Sequence, residues 1–402
     1  MISVAKALEI VRSQKRSFGT EEIYFEWSLD RILAEDIRAD RDFPAFHRAS
    51  MDGIAIRWDD WQQGARSFQI IGEQFAGKKP LALAEPGTCL EIMTGAVMPA
   101  GADMVIRYED CTIAGGRAVV APIEVAQWMN IHRQGTDAKA DEVLIESGKK
   151  INAGDIGILA SVGKVMVRVH KLPSVAIIST GDELVAVNST PLRYQIRRSN
   201  NAVLAALARK EGLIVEDFHL NDNEAEIRAE LPRILARFDV VLMSGGVSKG
   251  KRDYLPELLQ DLGVTRHFHG VQQRPGKPMW FGSTDHTVVF GFPGNPVSTL
   301  VCFQVYFRTW LAASLGYALQ QQTARLTTPI LFKPALTYFV PVQLRIVDNE
   351  TMAIPNLGHG SGDLVNLSQA DAFIELPADR VDFEAGEVFE LIGGEIKNGL
   401  SN

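Results

Sequence analysis

Phe238-Asp239-Val240-Val241-Leu242-Met243-Ser244-Gly245-Gly246-Val247-Ser248 opens the stretch, residues 238–299, on which the reading of this chain turns. Its apolar run stops abruptly in small residues. Lys249, Lys251, Arg252 and Asp253 follow, then Arg274-Pro275-Gly276-Lys277-Pro278, then Phe290-Gly291-Phe292-Pro293-Gly294-Asn295-Pro296. An apolar run bounded by glycines is the signal of a parallel strand covered on both faces. Open parallel sheets bind ligands at the carboxyl ends of their strands. Glycine there lets backbone N–H groups approach an anion with no Cβ in the way. The stretch therefore reads as the floor of an anion pocket in an α/β domain. One glycine-rich turn after a strand is more often plain structure. Three such loops, with carboxylates and cations among them, carry the reading.

Outward from that stretch the strand–helix alternation is regular. Val175 to Ser179 reads as a strand ending in Thr180-Gly181-Asp182-Glu183. Ser199 or Asn200 is placed to cap a helix that runs to about Lys210 and closes at Gly212. Ile214 to Leu220 is the next strand, ending at Asn221-Asp222-Asn223, and a helix with Ile227, Leu231, Ile234 and Leu235 on one face follows. A helix over about 253–262, strands near 264–271 and 286–292 and a long helix from Val297 to Leu315 complete a doubly wound α/β domain, 171–322.

The flanks differ. Residues 3–13 suggest a helix capped by Ser3, and 30–37 a short helical turn running into extended chain. Short alternating runs between turns over residues 54–135 predict a small β domain. It is inserted at 46–139 into an elongated N-terminal or linker domain built from 1–45 and 140–170. From spacing alone Asp52 reads as the turn residue of an Asp-Gly pair and Thr94 as a turn hydroxyl. After residue 323 the strands return, giving a barrel-like C-terminal β domain over 323–402 with a glycine-rich loop at Gly358-His359-Gly360-Ser361-Gly362.

Composition sets limits. The 402 residues are 46% hydrophobic and 22% charged, ordinary for several globular domains. A net charge of −8 supplies no basic field for nucleic acid or an anionic membrane. Three widely spaced cysteines without a CxxC speak against a disulfide framework or a zinc site. No run approaches a membrane span, and the amphipathic N-terminus lacks the apolar core of a signal peptide. A cytoplasmic protein is expected.

The strand ends gather acids (Asp182, Glu183, Asp222, Asp253) and cations (Lys249, Lys251, Arg252, Arg274, Lys277). Carboxylates facing a phosphate site are the usual way to hold Mg²⁺, while lysine neutralises developing charge. Any one of them alone is more readily a solvated loop residue. His267 and His269 alternate on one strand but lack a third ligand for zinc. Arg193, Arg197 and Arg198 form either a solvated face or a contact for an acidic ligand or partner chain. No P-loop, Gly-x-Ser-x-Gly or Gly-x-Gly-x-x-Gly occurs in a suitable context.

The runs Ser50-Met51-Asp52-Gly53, Met93-Thr94-Gly95-Ala96, Ser179-Thr180-Gly181-Asp182-Glu183-Leu184, Ser244-Gly245-Gly246-Val247-Ser248, Asp253-Tyr254, Pro275-Gly276-Lys277-Pro278 and Pro293-Gly294-Asn295-Pro296-Val297-Ser298 are, in this order, similar to those of the MoeA-type molybdopterin molybdenumtransferases, relatives of the gephyrin E domain. The resemblance implies four domains and an elongated homodimer with a composite active site. It implies insertion of molybdate into adenylylated molybdopterin with Mg²⁺, releasing AMP; an upstream molybdopterin adenylyltransferase would supply the substrate. By motif position, Asp52 and Thr94 would reach across the dimer. Glu183, Asp222 and Asp253 would serve the metal or the adenylate. Lys277, with Arg274, would bind molybdate or phosphate. Ser244, Gly245, Gly246, Ser248 and Asn295 would line the substrate site, Pro293 and Pro296 would shape it, and Ser361 would come from the last domain. Arg274 stands where the family usually has lysine, His132 where it commonly has arginine, and Arg198 where it usually has an acid. A molybdopterin-binding carrier without catalysis is the alternative.

Overall fold

The structure, a computed structural model, describes residues 1–246 and 255–394. The chain forms two compact units. One comprises residues 1–21, 30–32 and 169–402; the other comprises 22–29 and 33–168.

The first unit begins with α1 (Val4–Ser13), where the Ser3 hydroxyl accepts from the Lys6 N–H at 3.2 Å. β1 (Val175–Thr180), α2 (Ser199–Lys210), β2 (Val215–Leu220), α3 (Glu224–Arg237), β3 (Val240–Ser244), α4 (Leu255–Asp261), β4 (Thr265–His269), β5 (Trp280–Ser283) and β6 (Val288–Phe292) follow. The strands make one sheet in the order β2-β1-β3-β6-β5-β4. The pairs β1–β2, β1–β3 and β3–β6 are parallel. Alternate residues of β1 and β3 enter separate cores, as the pleat requires. Ile177 and Leu242 pack with α1, α2 and the C-terminal helices; Ile178 and Met243 pack with α3 and α4. Both faces are therefore covered, which is why these strands read as uninterrupted apolar runs. β5 is an addition to the expected topology. It has no polar alternation, and it pairs antiparallel with β6 and β4, making the sheet mixed at that edge.

The long helix expected from Val297 to Leu315 is present in three pieces: α5 (Pro296–Cys302), a π-helical turn at Phe303–Phe307, and α6 (Arg308–Leu315). Beyond it β7 (Gln322–Leu326), β8 (Thr337–Val347), β9 (Glu350–Pro355), α7 (Leu364–Gln369), β10 (Ala372–Leu376) and β11 (Val388–Ile392) build the C-terminal part. The pairings β8-β9-β7-β11-β10 return to β8, closing a five-stranded barrel around Leu326, Val340, Val342, Ala353 and Ile374. Gln273–Arg274 pairs in parallel with Thr337–Tyr338 of β8. The cation-bearing segment is thus hydrogen-bonded to the barrel.

The second unit holds a six-stranded sheet, with Gly53–Ile56 between Met104–Arg107 and Thr88–Ile92. A helix at Ala153–Ser161 starts from a reciprocal capping box between Asn152 and Asp155. The helical turn expected over 30–37 does not form. Leu33 and Ala34 spend their N–H groups on the carbonyls of Lys149 and Arg168, so the segment is bridged and extended. The three cysteines are free thiols. Among the described residues no helix is long and apolar enough to cross a membrane.

Candidate functional site

Register fixes where the loops of the first unit end. Thr180 lies opposite Leu220, Ser179 opposite Ser244, and Ser244 opposite Phe292. The loops after β1, β2, β3 and β6 therefore emerge from one edge of the sheet, where helices cover both faces and only the strand ends are open.

At that edge Ser244 is buried. Gly245 donates its N–H to the carbonyl of Phe292 at 3.1 Å, and a Cβ on Gly294 would come 3.8 Å from the Gly245 Cα. The two glycine loops thus touch. Asn200, in the first turn of α2, holds them together. Its Nδ2 donates to Ser244 Oγ at 2.8 Å and to the Gly294 carbonyl at 2.7 Å. No side chain caps α2, whose N-cap is Arg198. The sequence expectation of a capping Ser199 or Asn200 is corrected accordingly: Asn200 bridges the two glycine loops, a role that a cap signal concealed. Its Oδ1 is buried without a partner among the described residues. The Arg198 guanidinium pairs with Asp217 at 3.6 Å.

Glu183 and Asp222 are exposed at the ends of neighbouring strands. A Cβ on Gly181 would meet the Glu183 carboxylate at 2.5 Å, so that carboxylate folds back over the strand end; Gly181, at φ +133°, leaves the room. Asp222 donates its N–H to Asp182 Oδ1 at 3.0 Å. These are oxygen donors only, the chemistry a hard divalent cation takes. Among the described residues no group of three acids, histidines or cysteines comes together. Asp253 and Ser248 lie outside the described residues.

A cavity of about 950 Å³ opens between this edge and the barrel. Arg274, Lys277, Pro293, Asn295, His359 and Ser361 line it. Arg274 and Lys277 are exposed, Pro293 is buried, and Pro296 opens α5. Asn295 Nδ2 donates to Ser361 Oγ at 2.8 Å, and the Val297 N–H reaches the Ser361 carbonyl at 3.1 Å. The structure thereby brings together residues 66 positions apart in the chain. The Arg274 guanidinium faces Phe332 and Tyr338 at 5.7 and 5.6 Å from the ring centroids, and those rings stack 4.3 Å apart. His359, which the sequence offered only as a loop residue, has Nδ1 3.2 Å from Asp363 Oδ2. Backbone N–H groups of Asn366 and His359 hold the Asp363 carboxyl below its usual range.

In the second unit Asp52 and Thr94 meet each other. The Thr94 N–H and hydroxyl both donate to Asp52 Oδ1. First the backbone bond, then the hydroxyl, lowers the Asp52 pKa; both residues are exposed. His132 joins the same unit: Arg48 donates to its Nδ1 at 3.2 Å, and its Nε2 lies 2.8 Å from Asp137 Oδ1.

Three family descriptions match in series: "MoeA N-terminal region (domain I and II)" over residues 2–163, "Probable molybdopterin binding domain" over 176–313, and "MoeA C-terminal region (domain IV)" over 323–392. A Synechocystis protein named molybdopterin molybdenumtransferase is 41% identical, with 97% of this chain and 99% of the relative covered. The chain belongs to the MoeA family. A Staphylococcus epidermidis member bearing the same name is 32% identical over 97% of this chain and 95% of its own. The crystal structure of the MoeA molybdopterin biosynthesis protein of Pyrococcus horikoshii superposes with a TM-score of 0.82 at 28% identity, covering 98% of this chain and 99% of the other. Membership in the MoeA family agrees with the resemblance drawn from the motifs, and the fold agrees with the expected α/β centre, N-terminal β sheet and C-terminal barrel.

Proposed function

We propose that this MoeA-family protein is a molybdopterin molybdenumtransferase of molybdenum cofactor biosynthesis, inserting molybdate into adenylylated molybdopterin with release of AMP. The observation that supports this most is a cavity in which Arg274 and Lys277 meet the Asn295–Ser361 pair, with Pro293 and Asn295 of the second glycine loop in its lining. An anionic substrate carrying phosphates, and an oxyanion beside it, need cations and N–H donors around one space. The relatives' names supply molybdopterin and molybdenum.

Lys277 and Arg274 neutralise the oxyanion and the pyrophosphate-type linkage. Asn295 and Ser361 close the wall against the barrel. Gly245 and Gly246 bring backbone close to the ligand. Mg²⁺ would be held by Glu183, Asp222 and Asp253, and when bound it would polarise phosphoryl oxygen. A second copy of the chain brings Asp52 and Thr94 to this cavity, making a homodimer with shared sites. An upstream adenylyltransferase supplies the substrate, in the cytoplasm.

Single turnover of adenylylated molybdopterin with Mg²⁺ and molybdate, following AMP, tests the reading in wild type and Asp253→Ala. Molybdate-dependent AMP release that collapses in the variant is the expected result. Tight pterin binding with no AMP from the wild type would replace the enzyme with a carrier.

A further inference from the structure

The loop that bears Arg274 and Lys277 is held from beneath by a buried polar group that none of the motifs includes. Gln273 is fully buried, and so are Tyr306 and Cys302. The Tyr306 hydroxyl donates to Gln273 Oε1. That bond fixes which way the Gln273 amide faces. Nε2 then donates to the Pro275 carbonyl at 2.9 Å and lies 3.7 Å from Cys302 Sγ. Cys302 Sγ in turn is 3.9 Å from the Gly276 carbonyl. The carbonyls of the two residues before Lys277 are therefore each met by a buried side chain.

The backbone fits this grip closely. Gly276 sits at φ +91°, and a Cβ there would meet Gln273 Nε2 at 2.6 Å and Cys302 Sγ at 2.7 Å. Tyr306 reaches the amide from the π-helical turn at 303–307. The wider turn resets the helix by one residue relative to a plain α-helix starting at Pro296. Burial keeps both the Tyr306 hydroxyl and the Cys302 thiol protonated, so both remain donors.

We infer that Tyr306, Gln273 and Cys302 are positioning residues that set the Pro275–Gly276 peptide carbonyls and thereby aim Lys277 into the anion cavity. The inference rests on the reading of that cavity as the oxyanion site. The clamp itself is a property of the loop. Its partners point at the carbonyls of 275 and 276, not at the substrate, so they act through Lys277.

Tyr306→Phe removes the hydroxyl and keeps the ring. Two readouts apply. One is competitive acylation of Lys277 relative to Lys15, an exposed lysine of the same unit that does not line the cavity, measured by mass spectrometry without any ligand. The other is molybdate binding by calorimetry. The variant is expected to change relative Lys277 labelling at least about twofold and to weaken molybdate binding about tenfold, the scale of one buried hydrogen bond. In a Lys277→Ala background, Tyr306→Phe is expected to have no further effect on molybdate binding, which a general loss of packing would not reproduce. Gln273→Met serves the same comparison if Tyr306→Phe does not fold. Wild-type Lys277 labelling and wild-type molybdate affinity in the folded variants would overturn the clamp, as would effects additive with Lys277→Ala. Altered labelling alongside a wild type that binds no molybdate would leave the clamp standing and remove the oxyanion reading instead.

Discussion

Thr94 donates both its backbone N–H and its hydroxyl to one oxygen of Asp52, each at 2.7 Å. Two residues 42 positions apart, read from spacing alone as separate turn residues, form one unit. Both bonds favour the carboxylate, so Asp52 is charged well into acid. Thr94→Val keeps the N–H donor and removes the hydroxyl. It is expected to lower kcat/KM about tenfold and to move the acidic limb of the pH profile upward, while Thr94→Ser stays close to wild type. The sign follows from the lowered pKa. The pair stabilises the fold above the unfolded carboxylate value near 4 and loses that contribution as pH falls through the lower folded value. Acid titration of turnover in the three proteins checks it.

Asn200 ties the loops after β3 and β6 with two bonds from one amide nitrogen. Asn200→Ala is expected to cost about 1–2 kcal/mol in denaturant unfolding, about 1 kcal/mol per lost bond. It should also reduce single-turnover AMP release by tenfold or more as the glycine loops part. Unchanged turnover with lowered stability would confine Asn200 to a structural role.

Arg274 has a choice of partners. Its guanidinium faces the Phe332–Tyr338 stack and lines the cavity. A cation–π contact at an exposed site is worth about 0.5–1 kcal/mol. Arg274→Lys retains the charge and is expected to keep molybdate affinity within about fivefold. Arg274→Ala should lose tenfold or more. Calorimetric titration with molybdate distinguishes the two.

The proposed sharing of the site between two copies has a direct test. The Asp52→Ala and Lys277→Ala proteins are each expected to be inactive. Mixed after reversible dissociation, they should regain AMP release, because one interface then holds both intact halves. No recovery in the mixture would place Asp52 and Lys277 on the same chain's site.

Much of this was legible because the sheet is buried on both faces. Val240–Ser244 and Val288–Phe292 could be read as strands from their apolar runs, and their ends placed the glycine loops. Other features were not, for stated physical reasons. Asn200 carries a cap signature, and only the folded loops show that its amide is used elsewhere. Residues 30–37 have helical composition but find extended partners at Lys149 and Arg168. The Asn295–Ser361 bond joins two segments whose meeting depends on closure of the barrel. Tyr306 looks like any aromatic of an apolar helix until the π-turn places its hydroxyl on Gln273.

Gln273–Arg274 is paired along its backbone with β8 of the barrel, while the Gln273 side chain is held by Tyr306 of the helix behind the sheet. A segment of two residues is thus shared by both bodies of the first unit. Such sharing ties their unfolding: the barrel cannot melt without releasing the strand partner of residue 274, nor the helix without freeing the amide of 273. The unit should lose structure in one calorimetric transition, and a chain ended before Gln322 should forfeit the cation loop along with the barrel.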